Sequence, residues 1–285
     1  MSATSSRPLT QLLDGLGFGE GLRWHDDRLW FSDFLQHRVS SIGPDADLRV
    51  EAELDDRPSG LGWLPDGRLL VVSMHERRLL RREPDGEPVL HADLSSIATS
   101  HTNDMVVAAD GTAYVGNFGS DLLGGSARAT ARLAIVRPDG TVLGGPDGLE
   151  FPNGSVITPD GRMLIVGESF AQHYRAFPIH DDATLGEGRV WAEVPGRAPD
   201  GCTLDADGAI WFADARAPEL VRVAEGGEIL EVIPTPDPCY SCALGGSDGR
   251  TLYVVTARTL PGPDAPIGTG RLWSVPVDAP HAGRP

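Results

Sequence analysis

Lysine is missing from this chain: all 24 basic side chains are arginine, and 41 acidic ones outnumber them, for a formal charge of −17. A surface of that sign repels phosphate backbones, which excludes nucleic acid as a partner, and it gathers cations near clefts. Cysteine is scarce, three in all, an odd number that argues against a disulfide framework. No apolar run approaches the roughly 18 residues that span a membrane. Met1 to Pro8 is polar and lacks an apolar stretch of signal-peptide length. A soluble, cytoplasmic protein with no membrane partner is expected. Helical periodicity is weak; only Leu9 to Leu16 reads as a short helical or strand lead-in. Turn formers are abundant instead, with 35 Gly and 23 Pro, and the 40% of hydrophobic residues can furnish a packed core.

Most of those glycines fall at repeat-specific places. A short phrase recurs six times, opening at Glu20, Ser59, Asn103, Asn153, Asp200 and Ser241. Seven residues after each opener stands an aspartate: Asp27, Asp66, Asp110, Asp160, Asp207 and Asp248. Glycine follows five of them, Arg28 the first, and an apolar run resumes, as in Ile210-Trp211-Phe212. Asp-Gly between apolar strands predicts a type I′ hairpin. Outer hairpins are expected at Gly43-Pro44-Asp45, Pro84-Asp85-Gly86, Pro138-Asp139-Gly140, His180 to Gly188, Glu225-Gly226-Gly227 and near Pro276 to Ala279. Successive aspartates are 39, 44, 50, 47 and 41 residues apart. Periods of about 40–50 residues with four short strands each indicate an all-β fold, a six-bladed β-propeller. It is expected as a single domain over 1–285, with an ordered core of about 9–275 between flexible tails. The strand around Leu9 to Leu13 would close the ring beside the last blade. Two long Gly-rich connections, Gly119 to Thr130 and Thr259 to Gly270, are either lids or tolerated insertions.

In such a ring the innermost strands line a central channel, so the six openers converge. Glu20, Asn103, Asn153 and Asp200 are good oxygen ligands; Ser59 and Ser241 are weaker. Carboxylate and amide oxygens without Cys or His suit one hard divalent cation, with Ca²⁺ fitting best and Mg²⁺, Mn²⁺ or Zn²⁺ as the alternatives. Two carboxylates and two amides roughly balance its charge.

Four segments carry a family resemblance: Gly19-Glu20-Gly21-Leu22-Arg23-Trp24; Thr102-Asn103-Asp104 with Asp110-Gly111; Phe151-Pro152-Asn153-Gly154 with Thr158-Pro159-Asp160-Gly161; and Pro199-Asp200-Gly201 with Asp207-Gly208. In this order and phase the chain, from about Leu9 to Val275, resembles the senescence marker protein (regucalcin), gluconolactonase and luciferin-regenerating-enzyme family. The resemblance implies a divalent metal held by Glu20, Asn153 and Asp200, with Asn103 beside it on the metal or the substrate. It also implies a metal-dependent hydrolase of a lactone or related ester, with Asp200 as general base or nucleophile. The sugar-lactone members place an arginine two residues before the channel Asn; here that residue is His101. An imidazole cannot grip several hydroxyls as a guanidinium does, which points away from a gluconolactone and toward a smaller or more apolar lactone or ester. His101 would then bind substrate, act as an acid or base, or fill the channel mouth.

Asn117 and Glu168, closing second strands, are further substrate-binding candidates, with structural roles as the alternative; His75 is a weaker one. Cys239-Tyr240-Ser241-Cys242 would point its two thiols to opposite faces of a strand, a poor chelate. Trp24, Trp30, Trp63 and Trp211 sit in repeat phase and read as blade packing. Two other functions remain open on the same residues: a metal-dependent isomerase, cyclase or phosphotriesterase, and a non-catalytic calcium-binding propeller. The expected partner is a small-molecule substrate, the expected assembly a monomer or small homo-oligomer.

Overall fold

Apolar side chains alternating between turn residues make each repeat a small antiparallel sheet. The computed structural model describes residues 3–122, 124–262 and 265–283. Leu123, Pro263 and Asp264, which fall within the two long connections, lie outside the described residues, as do Met1, Ser2, Arg284 and Pro285. The described residues form no α-helix, and none is therefore long and apolar enough to cross a membrane. They form six sheets, five of four strands and one of five, as a six-bladed β-propeller. The innermost strands are Gly19–His25, Pro58–Trp63, Thr102–Val107, Pro152–Ile157, Pro199–Leu204 and Cys239–Gly245. Each lies against the next, and the sixth against the first.

Thr10–Leu16 is the outer strand of the sixth blade, paired antiparallel with Gly270–Pro276. The lead-in is thus a strand, and the ring closes as expected. Because that segment occupies the outer place, no hairpin forms near Pro276 to Ala279; the chain runs on to blade five, where His281 bridges Asp205. Ala3–Thr4, which carries no strand signal, adds a parallel fifth strand to blade five. Beside it Arg7 binds Glu231 and Asp278, each at 2.6 Å.

Turn chemistry departs from expectation in five hairpins. Among the six hairpins that follow the openers, only Asp26-Asp27 has positive φ at both central residues, 48° and 55°, as type I′ demands. In the second blade Gly67 alone is left-handed, at φ 85°, and its N–H bonds Leu64 O at 2.9 Å. That is the three-residue loop, a type I turn closed by a left-handed glycine. Gly111, Gly161, Gly208 and Gly249 repeat both features. The Asp-Gly pair is compatible with either turn, and the proline or other residue ahead of it selects the longer one.

The hydrophobic core is divided among the blade interfaces. Six buried clusters each join one blade to its neighbour, and a seventh gathers Phe18, Phe34, Met74, Phe118, Tyr240 and Ala257 at one mouth of the channel. Trp211 is buried between blades five and six, and Trp30 meets Trp63 edge-on at 5.3 Å between blades one and two. Cys239 and Cys242 are free thiols buried in that same fifth interface.

At the axis the strands crowd. All six innermost strands break register at the opener: between Glu20 and Arg23, Pro58 and Leu61, Thr102 and Met105, Pro152 and Ser155, Pro199 and Cys202, and Cys239 and Ser241. Such irregularities bend a strand and re-aim its side chains. The residue after the opener is Gly21, Gly60, Gly154 or Gly201 in four blades. A Cβ on Gly21 would lie 2.6 Å from Ser59 O, and one on Gly154 would collide with Asp200 O of the next blade. Gly154→Ala is expected to cost about 1–3 kcal/mol of stability by overpacking. Gly262→Ala, which meets open space, should be neutral. Urea denaturation of both variants checks this contrast.

Candidate active site

The register break puts Glu20, Asn103, Asn153 and Asp200 at the floor of one channel mouth, each more than nine-tenths buried. A directed chain of hydrogen bonds runs through the two asparagines. Ser59 Oγ donates to Asn103 Oδ1 at 3.4 Å, Asn103 Nδ2 to Asn153 Oδ1 at 3.0 Å, and Asn153 Nδ2 to Ser169 Oγ at 3.2 Å. Ser169 Oγ in turn donates to Pro199 O at 2.6 Å, beside Asp200. Ser241 is turned away, accepting the Leu22 N–H at 3.1 Å.

Two buried carboxylates share this floor without a cation of their own. The nearby guanidinium, Arg23, is committed to Asp104 at 2.7 Å and to the Leu22 and Met105 carbonyls. Asp104 replaces the glycine that follows the opener in four other blades. Burial, then the charges of Asp200 and Asp104, push the Glu20 carboxyl well above its usual range. Burial, then Asp104, does the same to Asp200, opposed by the Asn153 amide and the Gly201 N–H. Asp200 Oδ1 has no hydrogen-bond partner among the described residues.

That unsatisfied oxygen tests the fit of a cation. An unpartnered buried carboxylate oxygen is costly, and a hard divalent ion is the partner that such oxygens accept. Glu20, Asp200 and the two amide oxygens offer an all-oxygen donor set of the kind calcium takes. Among the described residues no three His, Cys, Asp or Glu side chains cluster for a metal. The fit therefore depends on the asparagines as well as the acids.

Above the floor opens a cavity of about 340 Å³. Phe18, Phe151 and Ala198 reach it from two residues before their openers, and Phe34, Phe118, Ser169 and Ala215 from just past their second strands. These are equivalent positions in successive repeats, a phase visible in the sequence once the openers are aligned. The long connections add Leu122 and Arg128 on one side and Leu260 and Pro261 on the other. A larger cleft of about 490 Å³, under Trp24 and Tyr253, has Asp27 as the one carboxylate among its lining residues.

Three expected substrate-binding residues stand off the cavity wall. Asn117 Oδ1 accepts the Gly119 N–H at 3.0 Å and its Nδ2 donates to Arg132 O at 2.8 Å. Glu168 is fully buried, bound to His173 at 2.9 Å, to Arg175 at 3.0 Å and to the Glu150 N–H at 2.7 Å. Both end second strands, where Asp33 and Asp214 also gather backbone N–H groups, four for Asp33 and two for Asp214. This repeat position pins loops. His101 packs on Phe118 and on His75, ring centroids 5.8 and 4.5 Å away, with Nε2 3.4 Å from Asp121. Burial and His75 lower its pKa. Phe118 takes the wall position instead.

The signature of the SMP-30/Gluconolactonase/LRE-like region matches residues 18–258. A pentonolactonase of Haloferax volcanii is 30% identical over 251 residues, 84% of this chain and 81% of the relative. A regucalcin structure from Agrobacterium tumefaciens superposes with TM-score 0.84 at 19% identity, covering 100% of this chain and 99% of the other. A gluconolactonase structure from Xanthomonas campestris gives 0.76 at 23%, covering 97% and 92%. At those identities the two structures speak for the fold alone.

With both carboxyl pKa values raised, the folded state binds more protons than the unfolded one. Metal-stripped protein should therefore lose stability as pH rises through and above the carboxylate range. Calcium at ~100 times its Kd should restore about 2.7 kcal/mol, roughly 5 °C in Tm, at pH 8. The gain should shrink at pH 5, where protons compete, and Asp200→Asn should remove most of it. Differential scanning calorimetry at the two pH values checks the sign. Glu168→Gln should cost about 3 kcal/mol through the Arg175 guanidinium it leaves without a carboxylate while leaving KM unchanged, read by urea melts and kinetics.

Proposed function

This chain belongs to the SMP-30/gluconolactonase/LRE-like family, and we propose that it is a metal-dependent hydrolase that opens a lactone or a related ester. The observation that carries the reading is the cavity lined by Glu20, Asn103 and Asp200, with Asn153 hydrogen-bonded to Asn103 and Asp200 Oδ1 without a partner among the described residues. The Haloferax volcanii relative, named a pentonolactonase, supports lactone opening.

Glu20, Asn153 and Asp200 would hold a divalent cation, best Ca²⁺, with Asn103 beside it; when bound, the cation supplies charge that polarises the carbonyl and steadies the oxyanion. The hydrogen-bond chain from Ser59 to Pro199 holds the two amides in one orientation. Asp200, as general base, takes a proton from the attacking water as the water oxygen bonds to the carbonyl carbon. The bond from that carbon to the ring oxygen then breaks. The departing oxygen takes up the proton from Asp200, leaving a hydroxy acid. The phenyl rings above exclude bulk water from these transfers.

Hydrolysis of a lactone panel is to be followed by pH-stat before and after chelation. Stripping the cation, or Asp200→Ala, should lower kcat/KM by about 10²–10⁴-fold. Rates untouched by both treatments would reject the assignment.

A further inference from the structure

We infer that the substrate has an aromatic or similarly apolar body and an anionic group at the end remote from the scissile carbonyl; this rests on the hydrolase reading above. The first observation is the cavity wall. Phe18 meets Tyr240 at 4.6 Å and Phe34 at 5.4 Å, while Phe151 bridges Phe118 and Phe170 at 4.7 and 4.8 Å. These rings form two connected arcs above the acidic floor, and Ala198 and Ala215 leave room between them. Above the floor, Ser169 is the one hydroxyl besides that of Tyr240 among the described lining residues, and its proton is already given to Pro199 O. Hydroxyls of a sugar lactone lying between the floor and the rim would face rings there and find few partners, a loss that polar binding sites are built to avoid. An aromatic ring meets stacked and edge-on neighbours instead. The volume of about 340 Å³ lies within the range of small-molecule sites.

The second observation is the rim. Arg128 sits 3.9 Å over the Phe170 ring, and Arg216 lines the same cavity from just beyond Asp214. Neither is in an ion pair among the described residues. The surface of this chain otherwise repels anions, with a net charge of −17. Two guanidiniums at the mouth of an apolar cavity provide a local anchor for a carboxylate, which arginine binds through paired N–H donors. The floor holds the reacting carbonyl, the rings hold the body, and the rim holds the anion.

The test compares glucono-1,5-lactone, dihydrocoumarin and dihydrocoumarin-6-carboxylate with the calcium-loaded protein. The carboxylated aryl lactone is expected to exceed the sugar lactone at least tenfold in kcat/KM. Arg128→Gln/Arg216→Gln should lower kcat/KM for the carboxylated lactone about tenfold more than for dihydrocoumarin, through KM. Arg216→Gln alone serves if the double variant does not fold. Calorimetry with the ring-opened carboxylated product and Asp200→Asn protein reads binding apart from turnover, and the arginine substitutions should weaken it about tenfold. A preference for the sugar lactone overturns this inference and leaves the hydrolase reading standing. So does an equal effect of the arginine variants on both aryl lactones. Turnover of none of the three overturns both.

Discussion

Six strands cannot approach a common axis with side chains at every position, and that crowding governs the molecule. The innermost strands relieve it in two ways. Each ladder slips at the opener, and in four blades glycine follows, because a Cβ there would meet the backbone or side chain of the next blade. The opener is thereby the residue that faces the axis, and its chemistry becomes the chemistry of the floor. Blade three takes another route: Asp104 occupies the glycine position and is held by Arg23 from blade one, beneath the openers. Its negative charge reaches both Glu20 and Asp200 and contributes to their reluctance to ionise.

Much of this was legible. The seven-residue interval from opener to aspartate fixed the blades, because a repeat of fixed phase must fold the same way each time. The four oxygen-bearing openers followed from that phase. The place of Thr10–Leu16 in blade six followed from the need to close a ring. What could not be read was side-chain direction near strand ends. Asn117 and Glu168 look like pocket residues because they are polar and end strands pointing at the channel. Asp33 and Asp214 show that this position is used to collect backbone N–H groups from entering loops. The turn type was missed because Asp-Gly fits two geometries, and Pro65, Pro159 and their counterparts extend the loop. The walls were missed for a different reason: Phe18, Phe34, Phe118 and Phe151 are in phase with one another, but phenylalanine is ordinary core material until the mouth is seen. Arg128 belongs to a connection with no repeat phase at all.

The same cluster of rings also separates two electrostatic regimes. Outside lies a surface of strong negative charge; inside lies a pair of carboxyls deprived of water. Apolar walls between them keep the dielectric low where the acids stand, so their interactions with one another and with any ion are large. The floor's hydrogen bonds run in one direction from blade two to blade five, which leaves no freedom for the amides to reorient independently.

Thr10–Leu16 lies against Gly270–Pro276, so two segments some 260 positions apart along the polypeptide must meet before the circle is complete. During synthesis the early strand emerges with nothing to pair with and waits for the late one. Contacts of such long range slow folding, and an unpaired edge is an invitation to neighbouring nascent chains. The first five blades thus precede, in the order of synthesis, the strand that locks the ring.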